Sequence, residues 1–197
     1  MDKKRKENRE FTILLNKMNN EGYIRKDHII SVKNANIYGI LTPMPFILVT
    51  IIYYILNYKS FNNSFQFGVV NFIIILIVSL LIHELIHGIT WSIYCEDKLK
   101  SIKFGFNLSG LMPYAHCKEP LSKKGYMIGA LMPFLILGII PMLLMFIFPN
   151  NFLFFMSIIN ILSAGGDLLI ALHLLKYKNI KVLDHPTDPG FVAFEKK

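Results

Sequence analysis

Acidic residues are scarce in this chain: 13 Asp and Glu stand against 21 Lys and Arg in 197 residues, a formal net charge of +8. In a soluble protein such a surplus points to nucleic acid. No nucleic-acid-binding motif accompanies it, and the cations are gathered between apolar runs, so the reading is of a protein with no nucleic-acid partner. Cysteine is nearly absent. The two present, Cys95 and Cys117, fit no zinc-ribbon spacing, and both fall by a segment whose charge reads as cytoplasmic, where a structural disulfide is not expected. No cleavable leader is expected either. The first apolar run begins near Tyr38, after a long charged stretch and without a small-residue cleavage site, and reads as a retained anchor. No internal repeat is visible.

What the chain does have is hydrophobic sequence: 53% of the residues, against 17% charged. These residues lie in long runs with no regular polar face, which a soluble core would impose and a lipid-facing segment would not. Four runs have the length of a membrane span: about Tyr38 to Tyr58, Phe67 to Cys95, Tyr126 to Phe148 and Asn151 to Leu175. Pro43 and Pro45 open the first, and Pro133 and Pro141 kink the third. The basic residues alternate between the loops. Nine precede the first span, one (Lys59) separates the first two, six separate the second and third, none separates the last two, and five lie beyond the fourth. By the positive-inside rule both termini and the loop near 96–125 are cytoplasmic.

The predicted fold is therefore an all-α membrane protein of the cell membrane: four transmembrane helices, with a short cytoplasmic β-hairpin-like segment between the second and third. Residues 1–37 form a basic cytoplasmic segment, 38–180 the membrane-embedded domain, and 181–197 a cytoplasmic tail. The stretch Asp2–Asn20 carries Phe11, Ile13, Leu14 and Met18 at helical spacing, which predicts an amphipathic helix, either on the anionic inner leaflet or solvated. In Ser101–Asn107, Ile102, Phe104 and Phe106 alternate with Lys103 and Gly105, a strand period, and Gly110, Pro113 and Pro120 punctuate the residues after it.

The second span holds His83-Glu84-Leu85-Ile86-His87. Residues i and i+4 share a helix face, so two imidazoles can bind one Zn²⁺ ion, and Glu84 can act as general base on a water there. Ionisable groups inside a span are costly and mark a functional site; the competing reading is a polar cluster that glues helices. A zinc hydrolase needs a third ligand. The extended metzincin pattern would put His at position 93, where Ile93 stands, and Glu96 and Asp97 lie too far along the helix. Asp167, in Ser163-Ala164-Gly165-Gly166-Asp167, is the candidate. His83 and Asp167 each lie 16 residues into a span from its outer end, about 24 Å at the helical rise, so they meet at one depth near the cytoplasmic boundary. Gly165 and Gly166 allow close helix approach. Asn160 and Ser163 fall on nearly the same face as Asp167, as substrate-binding or supporting groups or as ordinary interhelical hydrogen bonds. His116 is either a donor to the substrate or a loop histidine without a role. Trp91 and the phenylalanines read as core or lipid-facing residues.

With these features the chain resembles the zincin-type membrane peptidases of bacteria, a family long filed as a domain of unknown function. The resemblance rests on His83-Glu84-Leu85-Ile86-His87-Gly88, on Tyr114-Ala115-His116-Cys117-Lys118-Glu119-Pro120-Leu121, and on Gly166-Asp167, and covers roughly residues 38–180. More distantly it is similar to the site-2 proteases. That likeness implies one zinc ion held by His83, His87 and Asp167, with Glu84 as the catalytic acid and base. Gly precedes Asp167 where site-2 proteases have it following, and Ser163 stands where a proline is usual.

The function expected is that of a zinc-dependent, membrane-embedded endopeptidase cutting membrane or juxtamembrane peptide, with the strand near Ser101–Asn107 holding the substrate extended. The bilayer and a membrane protein or peptide substrate are its partners; no residue pattern speaks to oligomeric state. The alternative is a non-catalytic multi-pass protein using the same cluster for structural metal or a partner helix. A transporter is the weaker third reading, since four spans carry no repeat.

Overall fold

The computed structural model describes residues 3–61, 68–107, 112–185 and 190–196. Phe67 and Gly110 lie outside the described residues. In chain order the elements are helix α1 (Lys3–Asn20), strand β1 (Tyr23–Ile29), α2 (Val32–Leu41), α3 (Met44–Asn57), α4 (Val69–Tyr94), β2 (Ile102–Asn107), β3 (Met112–Cys117), β4 (Leu121–Ser122), α5 (Lys123–Pro133), α6 (Ile140–Ile147), α7 (Asn151–Ser163), α8 (Gly165–Leu175), β5 (Ile180–Asp184) and β6 (Gly190–Lys196).

Among the described residues three helical stretches are long and apolar enough to cross a membrane: Val32–Ser60, Val69–Tyr94 and Lys123–Ile147. Two of them depart from a plain rod for a local reason. Between α2 and α3 the chain turns at Thr42-Pro43, where the Thr42 hydroxyl donates to the Tyr38 carbonyl at 2.6 Å. Pro133 cannot donate its missing N–H, and the helix widens to a π-helical turn over Phe134–Ile139 before α6 resumes. The fourth expected span is not one straight helix. Helices α7 and α8 meet at Ala164 with a 50° bend, a broken span or a re-entrant loop. Gly165 sits at that break because its backbone packs on the Gly39 carbonyl of α2, and a side chain there would overlap it.

Helix α4 is inside-out by the standard of soluble proteins. Its inward face carries Ser79, His83, His87, Thr90 and Ser92, with Trp91, while Leu81, Ile82, Leu85, Ile89 and Ile93 face outward. That is the pattern expected when the surroundings are lipid and the polar groups must find partners within the protein.

The chain is not all-α. A four-stranded antiparallel sheet runs β1-β6-β5-β4, and a two-stranded sheet pairs β2 with β3. The two-stranded sheet lies in the segment where alternation predicts a hairpin, with Ile102 opposite Cys117 and Phe104 opposite Ala115. The four-stranded sheet departs from the expected fold, and burial on both faces is the reason. Phe191 and Ala193 of β6, with Ile180 and Val182 of β5, pack toward Trp91, Tyr126 and Leu174 at the ends of the helices. Val192, Phe194 and Leu183 pack on the opposite side against Met18, Phe11, Leu14 and Leu15 of α1. A strand covered on both sides shows no alternation to read. The α1 helix thus lays Phe11, Leu14, Leu15 and Met18 on the sheet.

Candidate metal centre

Helix α4 carries His83 and His87 one turn apart, and the first turn of α8 brings Asp167 to them across the break at Ala164. The His83 Nε2 atom lies 3.1 Å from Asp167 Oδ2, His87 Nε2 lies 3.4 Å from the same oxygen, and the two Nε2 atoms are 3.0 Å apart. Both histidines are buried, at 4% and 3% exposure, and the Asp167 carboxylate is partly exposed. The three donor atoms all lie within 4.8 Å of one another, close enough to hold one metal ion.

The donor chemistry fits a cation. His87 Nδ1 sits 2.9 Å from the Gly129 carbonyl of α5, so that nitrogen carries the proton and Nε2 turns a lone pair into the cluster. There it meets an imidazole nitrogen and a carboxylate oxygen. His83 has a single proton in its neutral form; its Nδ1 is buried with no hydrogen-bond partner. One proton on His83 Nε2 cannot serve both Asp167 and His87 with good geometry. A divalent ion satisfies all three lone pairs at once, and imidazole with carboxylate is a donor set that zinc accepts.

The surroundings fix His87 firmly. The Trp91 indole stacks on its ring at 4.9 Å and 12° between planes. Trp91 Nε1–H in turn donates to the Tyr126 carbonyl of α5 at 3.0 Å. Gly129 is glycine for a steric reason, since a Cβ would fall in the Trp91 ring. Gly88 likewise lets Phe104 of β2 approach the backbone of α4.

Glu84 is half-buried beside the cluster, and its Oε2 accepts the Ala115 N–H of β3 at 2.6 Å. The register explains why that N–H is available. Lys118 donates to the Ser101 carbonyl, which makes residues 114 and 116 the hydrogen-bonded positions of β3 and turns 113, 115 and 117 to its outer edge. Pro113, with no N–H, stands at one of the outward positions.

The remaining candidates are distributed differently. Asn160 is buried against α4, its Nδ2 donating to the Met156 carbonyl at 2.8 Å and reaching Ser79 Oγ at 3.5 Å, one turn before His83. Its Oδ1 is buried without a partner. Ser163 turns its hydroxyl back to the Asn160 carbonyl at 3.0 Å. His116 lies apart from the imidazole pair, with Nδ1 3.5 Å from the Asp184 carboxylate. Sequence reasoning misses the Gly129 carbonyl and the Ala115 N–H, which are backbone groups with no residue-type signal, and it reads Trp91 as core or lipid-facing without its contact with His87. An aromatic four residues after His87 is a signal for stacking on it.

No curated protein and no solved structure matches this chain. A family profile described as "Putative zincin peptidase" matches residues 76–182, more than half of the chain, and that stretch includes His83, Glu84, His87 and Asp167. The chain belongs to the family of that description.

Proposed function

We propose that this protein is a zinc-dependent peptidase embedded in the membrane, acting on membrane or juxtamembrane peptide. The observation that carries the proposal is the convergence of His83 Nε2, His87 Nε2 and Asp167 Oδ2, drawn from two separate helices onto one point. A zinc ion held by these three residues supplies Lewis acidity, polarising a peptide carbonyl and acidifying water near neutral pH.

The protein's own groups supply the rest. Glu84 is the general base and acid: it takes a proton from the attacking water as the C–O bond forms, then delivers it to the amine nitrogen as the C–N bond breaks. Its contact with the Ala115 N–H keeps the carboxylate oriented between the cluster and β3. The Gly129 carbonyl holds His87 in the tautomer that presents Nε2. A substrate must be extended, because a helix hides its carbonyls. Since Glu84 meets the outer edge of β3 and not β2, we assign the extended substrate to that edge, where the carbonyls of Pro113 and Ala115 face away from β2.

The topology supports four crossings, with α7 and α8 as the fourth, and both ends of the chain on the cytoplasmic side. Strands β1 and β6, which flank all the apolar helices in sequence, pair with each other from Tyr23–Lys196 to Ile29–Gly190, as two segments on one side of a membrane can. The basic residues concentrate on that same side.

Two measurements test the proposal. Purified protein should contain about one zinc per chain, and His87→Ala should lose it; equal metal in both removes the assignment. Glu84→Gln should keep the metal yet cut a candidate membrane substrate at least ~10²-fold more slowly. Undiminished cleavage by that variant would refute the mechanism.

A further inference from the structure

One carboxylate outside the cluster ties its supports together. Asp184, at the end of β5, accepts the Tyr126 hydroxyl on Oδ1 at 2.5 Å and the Cys117 N–H on Oδ2 at 2.9 Å. These two partners belong to the two elements that hold the site. Tyr126 is on α5, where its carbonyl accepts Trp91, the residue stacked on His87, and where Gly129 one turn later orients His87 Nδ1. Cys117 is on β3, two residues from the Ala115 N–H that binds Glu84.

Resting on the proposed zinc site, we infer that Asp184 is a positioning residue: it sets the separation between the support of His87 and the support of Glu84. The carboxylate is suited to this. Its two oxygens serve opposite partners, so neither strand nor helix can slide without breaking a hydrogen bond to an anion, the stronger kind. The Tyr126 side chain is buried at 3% exposure, and Asp184 is only partly exposed. His116 faces the same carboxylate at 3.5 Å, which gives that histidine a place on the anchor and not among the three donor atoms. Asp184 also lies beyond residues 76–182, the stretch that the family profile covers.

The test uses the full chain purified in detergent. Zinc affinity is measured by competition with a chelator, and the absorption spectrum of the cobalt-substituted protein reports the ligand geometry. Asp184→Asn keeps one carbonyl oxygen but loses the charge and the second acceptor. Tyr126→Phe removes a single hydroxyl and leaves the fold's apolar contacts in place. Both should weaken zinc binding about tenfold, the usual effect of losing a group that orients a ligand, and should shift the cobalt bands. If Asp184→Asn does not fold, Tyr126→Phe carries the test alone. Variants that melt earlier but bind zinc with unchanged affinity and an unchanged cobalt spectrum would overturn the inference, because Asp184 would then serve the fold only. A wild-type protein that takes up no zinc would instead overturn the proposed function, an outcome distinct from the first.

Discussion

At the scale of single residues, the site depends on where there is no side chain. Gly129 offers its carbonyl to His87 and its missing Cβ to Trp91. Gly129→Ala sets two effects against each other. Alanine favours the helix by roughly 1 kcal/mol over glycine. The methyl would drive into the indole, and overpacking of a filled core costs about 1–3 kcal/mol. The clash should win: we expect a lower thermal midpoint and weaker zinc binding together, checked by melting and chelator competition on one preparation. Glu119 is a residue of the opposite kind, held by what surrounds its side chain. Partial burial opposes its charge, but the Ser101 hydroxyl and the N–H groups of Glu96 and Asp97 outweigh that and hold the carboxyl below its ordinary value. A lowered carboxylate stabilises the fold above its unfolded pKa, and the contribution is lost as pH falls through the folded one. Wild type should therefore lose stability relative to Glu119→Gln on acidification below about pH 4.5, and thermal melting across that range measures the difference.

At the scale of elements, the sequence is most readable where one physical demand dominates. The long apolar runs of α4 and of α5 with α6 declare themselves by length, and His83, Glu84 and His87 by being polar within one. Alternation in Ile102–Phe106 marks the strand that forms β2. The rest is hidden for definite reasons. The run Phe191-Val192-Ala193-Phe194 is buried on both faces, so its strand period vanishes. Tyr23–Ile29 lies at the sheet's edge, largely exposed, and its charges mask the pattern. The bend at Ala164 comes with the contact of Gly165 and Gly39, a pairing of residues far apart in sequence. For the centre itself, the grouping of Asp167 with His83 and His87 is legible. The orienting carbonyl of Gly129 is not, since any residue has a carbonyl.

At the scale of the whole molecule, the four-stranded sheet couples the chain's flanking segments to the helices. Its central strand β6 has one face toward the helix ends and the other toward α1, so the two faces can be probed separately. Phe191→Ala and Phe194→Ala each remove a fully buried ring and should destabilise by about 3–5 kcal/mol. Only Phe191 belongs to the cluster that contains Trp91 and Tyr126. Its loss should therefore weaken zinc binding as well, while Phe194→Ala, on the α1 side, should leave zinc affinity near wild type. Melting and metal titration of the pair separate the two roles. The strand order has one more implication, for biogenesis. Strand β6 sits between β1 and β5, yet it follows every apolar helix in the chain. Until β6 is made, β1 has no strand of this sheet to pair with, and β5 has only β4 beside it. The face of β6 that carries Phe191 closes over Trp91 and Tyr126 only once that strand is in place, so the packing around the support of His87 is completed after the helices are made.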